Sequence, residues 1–505
     1  MYVLKSIALA VAIAPLLISA DNFPGYHSSG PRKTFAVRQA AANPSSRFLN
    51  DNSKAFAVNG KEIPEVNFDI GESYAGVLPI SDRAGETRKL FFWFFPSAAP
   101  EARDEVGVCL GGGPGCSGLK SLLSANGPFL WPPGALAPVK NPYSLNRLTN
   151  FVWIDQPVGT GFSQGEPSIT NQEELAEQFK GFWKNFVDIF QLHDSKMYFA
   201  SESYGGTFVP HIANSFLESN DSKYFNVKGV AINNPSIGNN ALQIEMPALP
   251  FSEYWSNVLG LDEPTLEKGR QRAEELGFTS YMKKYFTFPP PKEEWPQPPS
   301  PNKSTRDILV GAMYAANPCF DDYNIIHQCP TPYNQLVGAG ADKASGGPAY
   351  FQREDVKKAI NAPPDANWTG CAPKVFVGRD RSSYPTLDGT LANVVHKTKN
   401  VIVGSGDLDL VLPTNGTLFA LQNMTWGGDK GFQRFPSTPF FVPQHGADTG
   451  AYGNLGSWSQ ERGLPFYSIR LAGHKLSGGS AGAIYRVIQV MLGRVKDFSS
   501  HYPLF

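Results

Sequence analysis

Two segments of the chain share a Glu-Ser-Tyr core flanked by glycine: Gly71-Glu-Ser-Tyr-Ala-Gly76 and Ser201-Glu-Ser-Tyr-Gly-Gly206. A serine becomes a nucleophile when a strand runs into it and a helix leaves it. The sharp turn between them holds the backbone in a strained conformation and exposes the hydroxyl, which is why the flanking residues must be small. Ser203 has that context: the strand-like Met197 to Ala200 before it, Ser201, Gly205 and Gly206 around it, and an amphipathic helix after it. Ser73 has the cleaner motif but is followed by Val77-Leu-Pro-Ile80, a strand-like run interrupted by proline. It reads as a turn beside an early strand. Ser203 is the candidate nucleophile.

The helix after Ser203 also serves the chemistry, because its N-terminus carries unpaired amides and a partial positive charge that favour a developing oxyanion. One donor is expected to be the backbone amide of Tyr204. The second is expected from a loop after an earlier strand, and Gly111-Gly-Gly-Pro-Gly115 is placed to supply it, since glycine lets the backbone approach a substrate closely. A base and its orienting acid should follow in the order acid, then histidine. Gly404-Ser-Gly-Asp-Leu-Asp-Leu410 follows a strand-like segment and offers Asp407 or Asp409. His474 follows a strand ending at Leu471, whereas His211 lies on a helix and His445 in a glycine-rich loop.

The elements that must position these residues alternate. Lys89-Leu-Phe-Phe-Trp-Phe-Phe95, Glu105 to Leu110 and Phe151 to Ile154 are short apolar runs, as buried strands are. Thr170-Asn-Gln-Glu173 reads as a capping box that opens a helix with Leu175, Phe179, Phe182, Trp183, Phe186, Val187 and Phe190 on one face. Phe208 to Leu217 is a second helix. Val375 to Val377, Asn400 to Val403 and Phe466 to Leu471 are strand-like, and a last helix runs from about Ser480 to Leu492. Alternation of this kind implies an α/β fold, a mostly parallel sheet with helices on both faces. The rhythm breaks between residues 236 and 348, where Phe288-Pro-Pro-Pro291 and Trp295-Pro-Gln-Pro-Pro-Ser-Pro301 interrupt regular structure. That stretch reads as an irregular insertion, or cap, over a core formed by residues 21–235 and 349–505. No internal repeat is evident.

Composition bounds the rest. With 44 basic and 45 acidic residues, a net charge of −1 and 12% aromatics, the chain offers a large core. It has none of the clustered positive charge that nucleic acid or anionic lipid requires. Residues 1–20 read as a secretory signal: Lys5, an apolar run from Ile7 to Ile18, then Ser19 and Ala20. No other segment has the roughly 20 apolar residues that span a bilayer, so no stable membrane insertion is expected. Five cysteines suit an oxidising compartment. Cys319 and Cys329 are close enough to staple one loop. Cys116 and Cys371 could bridge at long range and leave Cys109 free, a connectivity that spacing alone does not decide. Glycosylation acceptor triplets occur at Asn220, Asn302, Asn367, Asn415 and Asn423. No metal or cofactor is called for.

Taken together the motifs resemble those of the serine carboxypeptidases, a family of the α/β-hydrolase fold. Glu202-Ser-Tyr-Gly-Gly206 is similar to the family's nucleophile motif, Gly112-Gly-Pro-Gly-Cys116 to its oxyanion loop, and Ile154-Asp-Gln-Pro-Val-Gly-Thr-Gly-Phe-Ser163 to a third hallmark. Gly406-Asp-Leu-Asp409 and Gly473-His474 match its acid and base segments. The resemblance runs from about Asp69 to the C-terminus, with a poor match in the insertion. It implies Ser203 as nucleophile, His474 as base, Asp409 as orienting acid, and the amides of Gly113 and Tyr204 as oxyanion donors. Gly112 and Glu202 would contact substrate, and Cys116 would pair with Cys371. The implied activity is release of C-terminal residues from peptides and proteins, in a secreted protein or, alternatively, a vacuolar one.

The departures fall in one place. The family recognises the substrate's free carboxylate with an asparagine before its double glycine and a pair of glutamates. The asparagine position holds Gly111, the second glutamate aligns with Ala125, and a usual tryptophan is Cys109. After the histidine, the usual Met-Val-Pro is Lys475-Leu-Ser477. Losing the amide removes a hydrogen bond to a charged group, about 1.5–3 kcal/mol. Lys475 either offers a replacement positive charge or is simply solvated. Two other readings therefore stand beside a carboxypeptidase: an esterase or acyltransferase on the same scaffold, and a catalytically silent, carboxypeptidase-like glycoprotein.

Overall fold

The computed structural model describes residues 46–299, 303–336, 338, 348–444 and 450–504. The signal-like segment, Asn302 and His445 lie outside them. Residues Arg47–Phe505 group as one compact unit.

The strands, in chain order, are β1 (Ala57–Val58), β2 (Ser73–Pro79), β3 (Lys89–Phe95), β4 (Glu105–Leu110), β5 (Asn150–Asp155) and β6 (Lys196–Glu202). They continue with β7 (Val227–Asn233), β8 (Val401–Gly406), β9 (Thr438–Val442), β10 (Gly453–Glu461) and β11 (Leu464–Ile469). Among the described residues these eleven form one sheet in the order β1-β2-β3-β5-β4-β6-β7-β8-β11-β10-β9. From β5 to β11 every neighbour is parallel. Both margins are antiparallel. This is the α/β-hydrolase arrangement, with its strands' carboxyl ends gathered on one edge.

The strand β3 shows why the sheet is covered on both sides. Its side chains alternate between faces: Phe92 and Phe94 join one hydrophobic cluster, Phe91, Trp93 and Phe95 the other. Helix α1 (Gln172–Phe190) lies on the first face, with Phe186 5.3 Å from Phe92 and Phe190 5.0 Å from Phe94 between ring centroids. The C-terminal helix, Ala481–Met491, buries Ile484, Val487 and Ile488 on the second.

Four local expectations need correction. The N-cap of α1 is Asn171, not Thr170: the Asn171 side chain accepts the Glu174 amide, while Glu174 reaches back to the Thr170 amide. The box is therefore displaced by one residue. Ser73 begins β2 rather than sitting in a turn; it is buried and its hydroxyl accepts the Trp93 indole N–H. Residues Val375 to Val377 form no strand, because Val375 and Phe376 pack into the core from a loop. The segment between β7 and β8 is more regular than its prolines imply. It carries helices Ala248–Tyr254, Ser256–Leu259, Glu263–Glu275, Phe278–Tyr285 and Thr305–Ala316, and the described part of the proline tracts lies in coil between the last two. These helices build their own small clusters. Leu266, Leu309, Met313, Phe320 and Ile325 close around Leu408 and Leu410, beside the acidic loop that follows β8.

Candidate active site

The candidate residues leave five adjacent parallel strands at the same edge. Gly111 follows β4, Ser203 follows β6, Asn234 follows β7, Asp407 and Asp409 follow β8, and His474 follows β11. In open parallel sheets this edge is where ligands bind, because the loops there face a common crevice.

Ser203 lies between β6 and α2 (Gly205–Glu218), with φ of 61°, a conformation uncommon for any residue but glycine. Its amide donates to the Asn233 carbonyl at 3.0 Å, and its carbonyl accepts the amides of Gly206 and Ser236. The turn admits only small neighbours. A Cβ on Gly205 would come within 1.7 Å of the Ser201 hydroxyl, and one on Gly206 within 2.4 Å of Pro235. The glycine loop abuts this turn: a Cβ on Gly112 would lie 2.8 Å from the Ser203 Cβ and 3.1 Å from the Tyr204 amide nitrogen. Among the described residues the amides of Gly113 and Tyr204 donate to no backbone carbonyl, which leaves both available.

The acid and base meet directly. His474 Nδ1 is 2.7 Å from Asp409 Oδ2, and both residues are buried. Asp409 Oδ2 also accepts the Asn234 amide at 2.6 Å, and Oδ1 accepts the Val411 and Leu412 amides at 2.8 and 3.1 Å. Burial works to lower the His474 pKa, but the Asp409 charge and hydrogen bond, with Glu202 behind them, outweigh it, and the imidazole sits above its ordinary value. Its Nε2 is buried without a protein partner. That is the nitrogen free to take a proton.

The structure separates what the sequence left open. Asp407 accepts the Thr414 hydroxyl at 2.9 Å, is pushed up by burial, and makes no bond to the histidine. His211 is held between the Thr207 carbonyl and Asp388. Cys116 is bonded to Cys371 and Cys319 to Cys329, and Cys109 is free, buried and pushed up to about 12 by desolvation. Asn220, Asn367 and Asn415 are exposed and Asn423 is half-buried. Among the described residues no cluster of ligating side chains could hold a metal.

Three features were not anticipated. Asn234, with φ of 42°, donates to Asp409 and to the Gly473 carbonyl and accepts the Gly406 amide, tying acid and base loops together. Its signal was faint: an asparagine pair at the end of a strand. The loop closed by Cys319 and Cys329 grips both loops. The Asp322 carbonyl accepts the Leu410 and Val411 amides, the Tyr323 carbonyl accepts the His474 amide at 2.7 Å, and the Tyr323 ring stands edge-on to the imidazole at 4.7 Å. Finally, Glu202 accepts the Ser477 hydroxyl at 2.8 Å and its amide at 3.1 Å. Desolvation holds the Glu202 carboxyl above its usual range.

The family model for serine carboxypeptidases matches residues 64–493. The chain belongs to the serine carboxypeptidase family. A probable serine carboxypeptidase of Arthroderma benhamiae is 42% identical over 502 residues, covering 95% of this chain and 93% of that one. The serine-type carboxypeptidase F of Aspergillus niger is 38% identical over 478 residues, covering 89% and 88%. The crystal structure of a prohormone-processing carboxypeptidase from Saccharomyces cerevisiae superposes with a TM-score of 0.67 at 21% identity, covering 88% of this chain and 96% of that one, and so shares the fold. Family membership makes the protein a serine-type hydrolase of the carboxypeptidase class. No helix among the described residues is long and apolar enough to cross a membrane.

The departures from the family's motifs have a physical basis. A Cβ on Gly111 would fall 2.0 Å from the Cys116 carbonyl oxygen, so this backbone has no room for an asparagine. Ala125 is buried, and its neighbour Asn126 is engaged by the Trp153 indole and the Cys109 sulfur.

Proposed function

We propose that Ser203, His474 and Asp409 are the catalytic groups of this serine carboxypeptidase, with the Gly113 and Tyr204 amides as its oxyanion hole. The observation that carries the reading is the buried His474–Asp409 pair, whose outward nitrogen has no partner at the strand edge that also delivers Ser203. His474 Nε2 takes the Ser203 proton as Oγ attacks the carbonyl before the substrate's last residue. Asp409 holds the imidazole with Nδ1 protonated and stabilises the imidazolium that forms. The two amides meet the negative charge on the tetrahedral intermediate. His474 then protonates the departing amine, and water, activated by the same base, releases the acyl group from Ser203. Gly112 lets the substrate backbone pass close to the elbow, and Glu202 lies on the substrate's carboxylate side.

The signal-like start, the disulfides and the exposed acceptor asparagines support delivery to the secretory pathway, to the exterior or a vacuole, with peptide and protein C-termini as substrates. The deciding experiment compares one blocked dipeptide as free acid, ester and amide with the purified enzyme. A preference for hydrolysing the peptide bond before a free carboxylate supports the exopeptidase. Equal or faster turnover of the ester, with little on the acid, overturns it in favour of the esterase.

A further inference from the structure

Two ammonium groups, one following the glycine loop and one following His474, have no carboxylate within ion-pair distance among the described residues. Lys120 lies on the short helix Gly118–Ser121, just after the glycine loop. Its Nζ is 3.6 Å from the sulfur of Cys371, in the disulfide that anchors that loop through Cys116. A Cβ on Gly113 would itself lie 3.1 Å from the Cys116 sulfur, so the disulfide that Lys120 approaches abuts the oxyanion glycine. Lys475 follows His474 directly and is exposed. It opens the turn Leu476–Gly479, which packs on the segment after Lys120: a Cβ on Gly478 would be 3.2 Å from the Ser124 carbonyl. Two residues beyond Lys475, Ser477 is bonded to Glu202, the residue before the nucleophile. The two lysines thus lie on adjoining segments, one leaving the glycine loop and the other leaving His474. Their fields overlap. Burial, and then the charge of Lys475, bring Lys120 down to about 8, and Lys475 also acts on Glu202 and His474.

Two like charges held together, one of them largely desolvated, are stabilised by an anion that sits between them. A peptide whose carbonyl lies against Gly113 and Tyr204 carries its last residue, with a carboxylate, past Ser203. The asparagine and second glutamate that the family uses for that carboxylate are absent here, at Gly111 and Ala125. We propose that Lys120 and Lys475 form the subsite for the carboxylates of the leaving residue, replacing neutral hydrogen-bond donors with paired ammonium groups. The inference rests on the assignment of Ser203 as nucleophile and deepens it. It carries a consequence for substrate choice: a C-terminal aspartate or glutamate presents a second carboxylate to the same pair and is favoured over its amide isostere.

The test uses Lys120→Met, Lys475→Met and the double variant on the full enzyme, with Lys475→Arg as the charge-preserving control. Substrates are blocked dipeptides ending in leucine, as free acid and amide, and in glutamate or glutamine as free acids. Each methionine variant should raise KM for the leucine free acid by about one to two decades, the range of a hydrogen bond to a charged group. The kcat and the KM of the amide should stay within a few-fold, and Lys475→Arg should retain most of the affinity. Loss of the acid-over-amide preference assigns the pair to the main-chain carboxylate. Loss of the glutamate-over-glutamine preference assigns it to the side chain. Unchanged values for both preferences overturn the proposal, as does an equal loss for acid and amide. Labelling of Ser203 by a fluorophosphonate, measured on the same samples, separates this failure from failure of the nucleophile assignment.

Discussion

Replacing Ser477 with alanine tests how a lone glutamate behaves in this cleft. The Glu202 carboxyl is pushed up by desolvation and pulled back by the Ser477 hydroxyl and amide, with smaller help from His474 and Lys475. Ser477→Ala removes the 2.8 Å hydroxyl bond and leaves the amide bond in place. A hydrogen bond to a charged group contributes about 1.5–3 kcal/mol. Losing it removes part of what favours the ionised form, so the carboxyl moves further above its usual range. A raised carboxyl stays neutral to higher pH. Ionised Glu202 repels a substrate carboxylate beside it and neutral Glu202 does not, so the pH at which KM begins to climb should move upward. The assay is KM against pH for a blocked dipeptide, wild type beside variant, across the acid and neutral range. An unmoved profile, or one displaced to lower pH, refutes the reasoning.

Asp409→Asn should leave the fold intact and lower kcat by about 10⁴, because an amide in that position stabilises the wrong imidazole tautomer; steady-state kinetics with a thermal melt checks both. Asn234→Ala strips a buried donor from Asp409 and should destabilise the protein by about 1.5–3 kcal/mol, read as a lower denaturant midpoint together with reduced kcat. Replacing Cys319 and Cys329 with serine frees the loop whose Asp322 and Tyr323 carbonyls hold the acid and base segments. It should cost about 2–4 kcal/mol of stability and reduce kcat more than it changes KM; a change in KM alone would show that the loop acts on binding instead.

The parts of the site that depend on local chemistry were legible from the sequence. The elbow at Ser203 needs a strand, small residues and a helix in immediate succession, and the glycine loop is continuous. The choice between Asp407 and Asp409 was not legible from spacing, because both follow the same strand and only the direction of each side chain differs. One meets Thr414 and the other His474. Contacts between distant segments were equally hidden. Ser477 and Glu202 are separated by 275 residues, and Asn234 and Asp409 by 175. The antiparallel margin was missed for another reason. The strand β10 is half-exposed along its length, so it lacks the apolar run of β4 or the alternation of a one-sided strand. The insertion's helices were obscured by the proline tracts among them, although Asp262 caps Glu263–Glu275 with Pro264 in its first turn, an ordinary start signal.

The central claim is that one serine, at residue 203, is activated by His474. A fluorophosphonate probe followed by peptide mapping measures it most directly. The account predicts a single labelled site at Ser203, lost in Ser203→Ala and slowed by orders of magnitude in His474→Ala, with both variants as folded as the parent. Labelling that persists in Ser203→Ala, or that proceeds at full rate without His474, would contradict it.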